Sequence, residues 1–343
     1  MTTMPNKQLS VALIGAGQIA GGYDTNLREG EDGVYSHAGA YKADGRFSLT
    51  TVYDLDDAAA QTFQSSWNVI KIAGGIDDIL GTHHDVVSVC VPDETHFDIV
   101  HRLITTECCK TVFVEKPLAS SAGDIATLDA MSRAADINVV VNFQRRFDSL
   151  YAELAAEFAA DPTRIITVNA MYMNGFEHVG VTMLDTLDAL FGAPGAVYVY
   201  NAVINLENNQ LTYEFVLYYD NFNITVKTVD SSIHAYNYHI FDIDIFLADG
   251  RLTLNQTGRW LERRTVGDYA YSGVSVFEED SKRSEKTGWD KSMIAAVDYI
   301  ARVTRGGAHT INTPAQSQRT RRILDAIIKS AETETKINVN EIS

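Results

Sequence analysis

Two hydrophobic rhythms divide the chain. In the first third, compact apolar runs stand at Leu9–Ile14, Phe47–Tyr53, Asp85–Val91, Thr111–Val114 and Val139–Val141. Runs without sustained period-two alternation predict strands buried on both faces, as in a parallel sheet covered by helices. Asp56–Trp67, His96–Thr105 and Ala122–Ala135 predict those helices, so the segment reads as a doubly wound α/β domain. After about Gln144 the rhythm changes. A helix over Phe147–Ala159 stops at Asp161-Pro162, a strand follows over Arg164–Met173, and a helical stretch from about His178 to Phe191 closes at Gly192. Long β-rich segments then run over Ala196–Leu206, Leu211–Tyr219, Phe222–Ser231 and Tyr238–Ala248, with hairpin turns expected at Asp220-Asn221 and Asp249-Gly250. Phe241, Ile243, Ile245 and Leu247 alternate with Asp242, Asp244 and Phe246, the mark of a sheet with two unlike faces. This half predicts an α+β domain with a large, mainly antiparallel open sheet, ending in helices at Lys291–Arg305 and Ala315–Ala331. The divide falls between 144 and 145, giving domains over 1–144 and 145–343.

Composition narrows the function classes. The 343 residues include 45 acidic and 28 basic side chains, a net charge of −17, with 45% apolar and 21% charged positions. That is an ordinary globular protein with chain enough for two cores. Its acidity argues against nucleic acid and anionic membrane as partners, both being polyanions, and leaves room for one local basic site. Cys90, Cys108 and Cys109 make no disulfide framework or C-x-x-C pair, and read as thiols in a reducing compartment. Residues 1–10 lack an apolar signal core and no run is long enough to span a bilayer, so a cytoplasmic protein is expected. No residue is assigned to a metal.

Chemistry enters at Gly15-Ala16-Gly17-Gln18-Ile19-Ala20, directly after the first strand and opening a helix. In a Rossmann dinucleotide-binding domain the first glycine turns the chain and the second lets a pyrophosphate approach the backbone. The third position needs only a small residue, here Ala20. Asp54 ends the second strand, where a carboxylate binds adenosine ribose and repels a 2′-phosphate. NAD is therefore expected over NADP, unless Asp54 is a plain turn residue. The spacing 54 − 15 = 39 is long, and fits a polar insertion at Asp24–Tyr35, either a surface loop or a flap near the ligands. Pro92 and His96, past the third strand, lie at the ligand-binding edge, although His96 also suits a plain helix start. Glu115-Lys116-Pro117 ends the fourth strand. A lysine beside a nicotinamide can exchange a proton with a substrate hydroxyl, and desolvation makes that exchange accessible.

GAGQIA, CVPDETH, EKPLA, NFQRRF and the glycine-closed VTMLDTLDALFG, in that order, resemble the glucose–fructose oxidoreductase, inositol dehydrogenase and rhizopine-catabolism (Gfo/Idh/MocA) family along essentially the whole chain. The resemblance implies an NAD-dependent oxidoreductase acting on a sugar, cyclitol or nucleotide-sugar hydroxyl, with Lys116 in proton transfer. It sets Glu115 and Asn142 beside the cofactor, and Arg145 and Arg146 near an anion of cofactor or substrate or in a salt bridge. The sequence departs from the family at its usual Asp/His pair, where it has His178 and Thr182. His178, Thr182 and Asp185 would share one helix face. His178 then supplies acid–base chemistry, binds substrate, or merely starts the helix, with Thr182 as a hydrogen-bonding substrate contact and Asp185 as a substrate or helix-packing contact. The resemblance also implies a homodimer or homotetramer built on the open sheet. Tyr236-Asn237-Tyr238-His239 reads as sheet surface or subunit contact. Loss of the Asp/His pair keeps a non-catalytic NAD or sugar sensor open, as well as an enzyme that uses NAD transiently in a redox-neutral reaction.

Overall fold

The computed structural model describes residues 7–28, 31–173, 175–204, 211–229, 239–268, 273–278 and 280–342. By contacts the chain divides into two compact units. One holds the residues up to Phe147 together with Asp290–Gln318, and the other holds Asp148–Trp289 with the chain from Arg319 onward. The sequence reading divides the chain at 144/145 and leaves everything after it in the second domain. The contacts differ by returning the helix Ser292–Thr304 to the first unit. The reason is the helix's apolar face: Met293, Val297 and Ile300 are fully buried in one cluster with Val11, Leu13, Val86, Phe113 and Val140.

The first unit is built on strands β1 (Leu9–Ile14), β2 (Phe47–Tyr53), β3 (Lys71–Ile72), β4 (His84–Val89), β5 (Cys109–Val114) and β6 (Asn138–Val141). All pair in parallel in the order β3-β2-β1-β4-β5-β6. This is the Rossmann strand order, with its reversal between β1 and β4. The helices Asp57–Trp67, His96–Thr106 and Ala122–Ala134 connect its strands. Asp56 and Ser121 cap the first and last by accepting backbone N–H bonds.

The second unit carries β7 (Ile165–Met173), β8 (Ala196–Ile204), β9 (Leu211–Tyr218), β10 (Asn223–Val229), β11 (Phe241–Leu247), β12 (Gly250–Asn255), β13 (Trp260–Asp268), β14 (Ser275–Phe277), β15 (Arg283–Lys286) and β16 (Ile337–Asn338). They form one sheet in the order β14-β13-β12-β11-β7-β10-β9-β8-β16, with β15 also on β13. Pairing is antiparallel except for β7 with β10. Burial alternates strictly along β11 and β12, as the two-faced pattern requires. Phe158 of the helix Ser149–Ala160 stacks on Phe191 of the helix Val181–Phe191, centroids 5.1 Å apart, and Phe191 meets Phe222. One turn differs from expectation. Leu247 pairs with Gly250, so the two-residue turn is Ala248-Asp249 and Gly250 already belongs to β12. Glycine is required there because a Cβ would lie 2.3 Å from the Arg264 carbonyl oxygen of β13.

Candidate functional site

Backbone hydrogen bonds carry the first unit's sheet one step past its strands. Gly15 N–H donates to Tyr53 O at 2.8 Å, Cys90 N–H to Ile14 O at 2.8 Å, Glu115 N–H to Val89 O at 3.0 Å, and Asn142 N–H to Val114 O at 2.8 Å. The residues that follow β2, β1, β4, β5 and β6 therefore stand in one row, at strand spacings of about 4.8 Å. The row is the carboxyl edge of the sheet and contains its switch point, where open α/β sheets take ligands.

Gly15 turns the chain with φ +97°, and a Cβ would meet the Cys90 carbonyl oxygen at 2.3 Å. Only glycine fits. Gly17 is the opposite case, exposed and with nothing within 4 Å of a built Cβ, so its backbone is open to a phosphate. Gln18 is exposed, Ile19 half-buried, and Ala20 fully buried, which suits close packing by a small side chain. The expected helix is short. It runs over Gln18–Gly22 as a wide π turn and Tyr23–Thr25 as α-helix, and helical structure resumes only at His37–Ala43. The insertion thus interrupts the first crossover helix, which explains the long glycine-to-aspartate spacing. Asp24 ties its far end, accepting from Tyr35 N–H at 2.8 Å, Ser36 N–H at 3.0 Å and the Ser36 hydroxyl at 2.5 Å. Glu29 and Gly30 lie outside the described residues.

Asp54 stands over the glycine turn. Its Oδ2 accepts from Ala16 N–H at 2.7 Å and its Oδ1 from Asp56 N–H at 2.9 Å. Asp56 and Asp57, both exposed, add negative charge at the same strand end. Sequence reasoning passed over these two, although they adjoin Asp54. Pro92 is exposed in the loop that follows β4, at the centre of the row. His96 is fully buried, with Nδ1 2.6 Å from Pro117 O and Nε2 2.9 Å from Val91 O. Its two nitrogens face the backbone of two strand-end loops, so the expectation of direct cofactor contact is corrected to bracing those loops.

Glu115 and Lys116 follow β5, between the ends of β4 and β6 in the row. Burial pushes the Glu115 carboxyl upward, but the hydrogen bonds from His37 and Asn142 and the Lys116 charge bring it below its ordinary value. Burial holds the Lys116 ammonium below the ordinary lysine range, against the opposing pull of Glu115 and Asp93. His37 Nε2 lies 2.9 Å and Asn142 Nδ2 2.6 Å from Glu115 Oε1. Asn142 Oδ1 is buried without a hydrogen-bond partner among the described residues. The sequence reading also missed His37. Its signal was a histidine following an N-cap serine, Ser36, whose hydroxyl accepts from Gly39 N–H. Open backbone at Gly17, an orphaned acceptor at Asn142 and a carboxylate at Asp54 fit the pyrophosphate, carboxamide and ribose of NAD. Arg145 is buried and Arg146 half-buried in the turn Gln144–Phe147 that ends this part of the unit.

In the second unit, His178 is exposed in a π-type turn over Gly175–Gly180, just before the helix Val181–Phe191. Thr182 is half-buried and its hydroxyl donates back to His178 O at 3.3 Å. Asp185 is 1% exposed and accepts from the Thr320 hydroxyl at 3.3 Å. Of the two readings of Asp185, substrate contact or helix packing, this burial supports packing. His178 lies in the π turn, which is wider than an α turn and breaks its register with the helix, while Thr182 and Asp185 keep their i, i+3 relation within the α-helix. Tyr236–Tyr238 lie outside the described residues.

Comparison with known proteins agrees with this geometry. Residues 9–143 match the Gfo/Idh/MocA model, described as an oxidoreductase family with an NAD-binding Rossmann fold. Over this segment the chain is similar to that family's NAD-binding Rossmann domain. The chain is 27% identical to an uncharacterized oxidoreductase, YhhX, of Escherichia coli K12 over 46% of this chain and 51% of that protein. It is 27% identical to inositol 2-dehydrogenase of Rhizobium meliloti 1021 over 45% of this chain and 41% of that protein. The matches thus span about half the length of these curated relatives or less. Levoglucosan dehydrogenase, solved with NADH and levoglucosan, shares the fold at a TM-score of 0.76 and 16% identity, covering 98% of this chain and 100% of that one. No helix among the described residues is long and apolar enough to cross a membrane.

Proposed function

We propose that the protein is a cytoplasmic NAD-dependent oxidoreductase moving a hydride between nicotinamide and a ring hydroxyl or ketone of a sugar, cyclitol or nucleotide sugar. One observation carries the reading: Lys116, its ammonium weakened by burial, stands beside Glu115 in the same row as the glycine turn. The nicotinamide, when bound, supplies the hydride acceptor. Asp54 accepts hydrogen bonds from the ribose hydroxyls and, with Asp56 and Asp57, repels a 2′-phosphate. Gly17 would offer its open backbone to the pyrophosphate of a bound NAD, and the unpartnered Asn142 Oδ1 would accept from its carboxamide. Neutral Lys116 Nζ takes the substrate hydroxyl proton during oxidation and returns it during reduction. His178, Thr182 and Arg145 contact the substrate, and the chain assembles as a homodimer or homotetramer. The substrate class follows the relatives, two of which are named for a cyclitol and an anhydrosugar.

Oxidation requires neutral Lys116, so its rate rises with pH through a value below that of an ordinary lysine, and reduction falls through the same range. Purified protein with NAD and a panel of sugars, cyclitols and nucleotide sugars should form NADH with at least one of them. NAD binding without turnover across the panel would indicate a sensor. Product formed without net NADH would indicate transient use of the cofactor.

A further inference from the structure

A line of polar groups runs beneath the row and ends in the core. Tyr41 Oη lies 2.9 Å from Ser88 Oγ, Ser88 Oγ lies 3.2 Å from His37 Nδ1, and His37 Nε2 lies 2.9 Å from Glu115 Oε1. His37 and Ser88 are 0% exposed and Tyr41 is 1% exposed. The His37 ring also packs on Phe113 with centroids 4.3 Å apart, which fixes its plane.

One direction of donation satisfies every member. The Glu115 carboxylate only accepts, so His37 carries its proton on Nε2. Nδ1 then accepts from the Ser88 hydroxyl, whose oxygen accepts in turn from Tyr41. The line reaches no solvent at Tyr41, so it braces the carboxylate and does not conduct protons. We propose that His37 is a positioning residue that keeps Glu115 anionic and aimed at the Lys116 side of the row, and so sets the protonation of Lys116. The proposal rests on the reading of Lys116 as the proton-transfer group.

His37 and Asn142 donate to Glu115, and Cys90, at the end of β4, is a buried thiol pushed upward first by burial and then by the Glu115 charge. Asp93, in the turn Asp93–Thr95, is the second anion acting on Lys116. Without the His37 donor, burial favours protonated Glu115, and Lys116 loses its adjacent anion.

The test needs no substrate. In the full-length protein, acetylation of Lys116 by acetic anhydride is followed against pH by peptide mass spectrometry, which reads the midpoint of Lys116 deprotonation. His37→Leu fills the space without a donor and should lower the midpoint by about one pH unit. His37→Gln keeps an N–H toward Glu115 and should restore most of the shift. Ser88→Ala should move the midpoint the same way by less. An unchanged midpoint in folded His37→Leu, or an equal displacement in His37→Gln, overturns the proposal. Should His37→Leu not fold, Ser88→Ala decides, and a wild-type midpoint there overturns it. A shifted midpoint in a protein that turns over no substrate leaves the brace standing and removes the redox reading instead.

Discussion

Gly15 and Gly17 sit two positions apart in one turn, yet glycine is needed at each for a different reason. At Gly15 the positive φ and the Cys90 carbonyl oxygen leave no room for a side chain. Gly15→Ala should cost on the order of 1–3 kcal/mol of stability, seen as a lower urea midpoint, together with loss of NAD binding. At Gly17 nothing in the protein opposes a methyl group, so Gly17→Ala should leave the urea midpoint near wild type while weakening NAD. Equal destabilisation by both substitutions would contradict the open-cradle reading. Asp54 has two tasks, holding Ala16 N–H and facing ribose. Asp54→Ala should lower NAD affinity and narrow its preference over NADP, measured by titration of both cofactors. Unchanged discrimination would remove Asp54 from the ribose site. These residues were readable because a glycine turn and a strand-end acid are local signals. His37 was not, since its importance comes from Glu115, which lies 78 positions away in the chain and is reached only through the sheet.

At the scale of elements, the parallel strands were readable because apolar runs buried on both faces have no competing pattern. The short edge strand Lys71–Ile72 was not anticipated, being too short to carry a rhythm. The strands after Gly250 were also unanticipated, although β12 alternates as strictly as β11. The helix Val181–Phe191 was foreseen, but its start was drawn too early because periodicity cannot separate a π turn from an α turn. The same helix carries Asp188, whose side chain is 0% exposed and is held bidentately by Arg319 at 2.6 Å and 2.6 Å. Arg319→Ala strips that partner from a buried carboxylate and should cost about 2–4 kcal/mol, discounted for the guanidinium's own exposure. Urea unfolding checks this, and a change under about 0.5 kcal/mol, ordinary for a surface substitution, would contradict it.

For the whole molecule, an excess of acid coexists with a local cation that the proposed chemistry needs. The second unit's open sheet bears on assembly. Outward positions of β11 and β12 pair with one another, Arg251 with Asp244 at 2.6 Å and over the Phe246 ring at 4.8 Å. That face is therefore polar at this point, as the alternation with Asp242 and Asp244 implies. Ile166 at 60% exposure and Tyr200 at 41% are among the exposed apolar side chains on the sheet's strands that the proposed assembly would cover. Light scattering at micromolar concentration should report a dimer or tetramer, and a monomer would remove the sheet as an interface. The central question is whether Lys116 moves the substrate proton. It is answered most directly by NADH formation in Lys116→Ala, measured on whichever sugar or cyclitol the wild type oxidises, with NAD affinity determined in parallel. The expected result is a loss of at least about 100-fold in kcat with NAD affinity retained. Turnover at the wild-type rate, with the same dependence on pH, would contradict it.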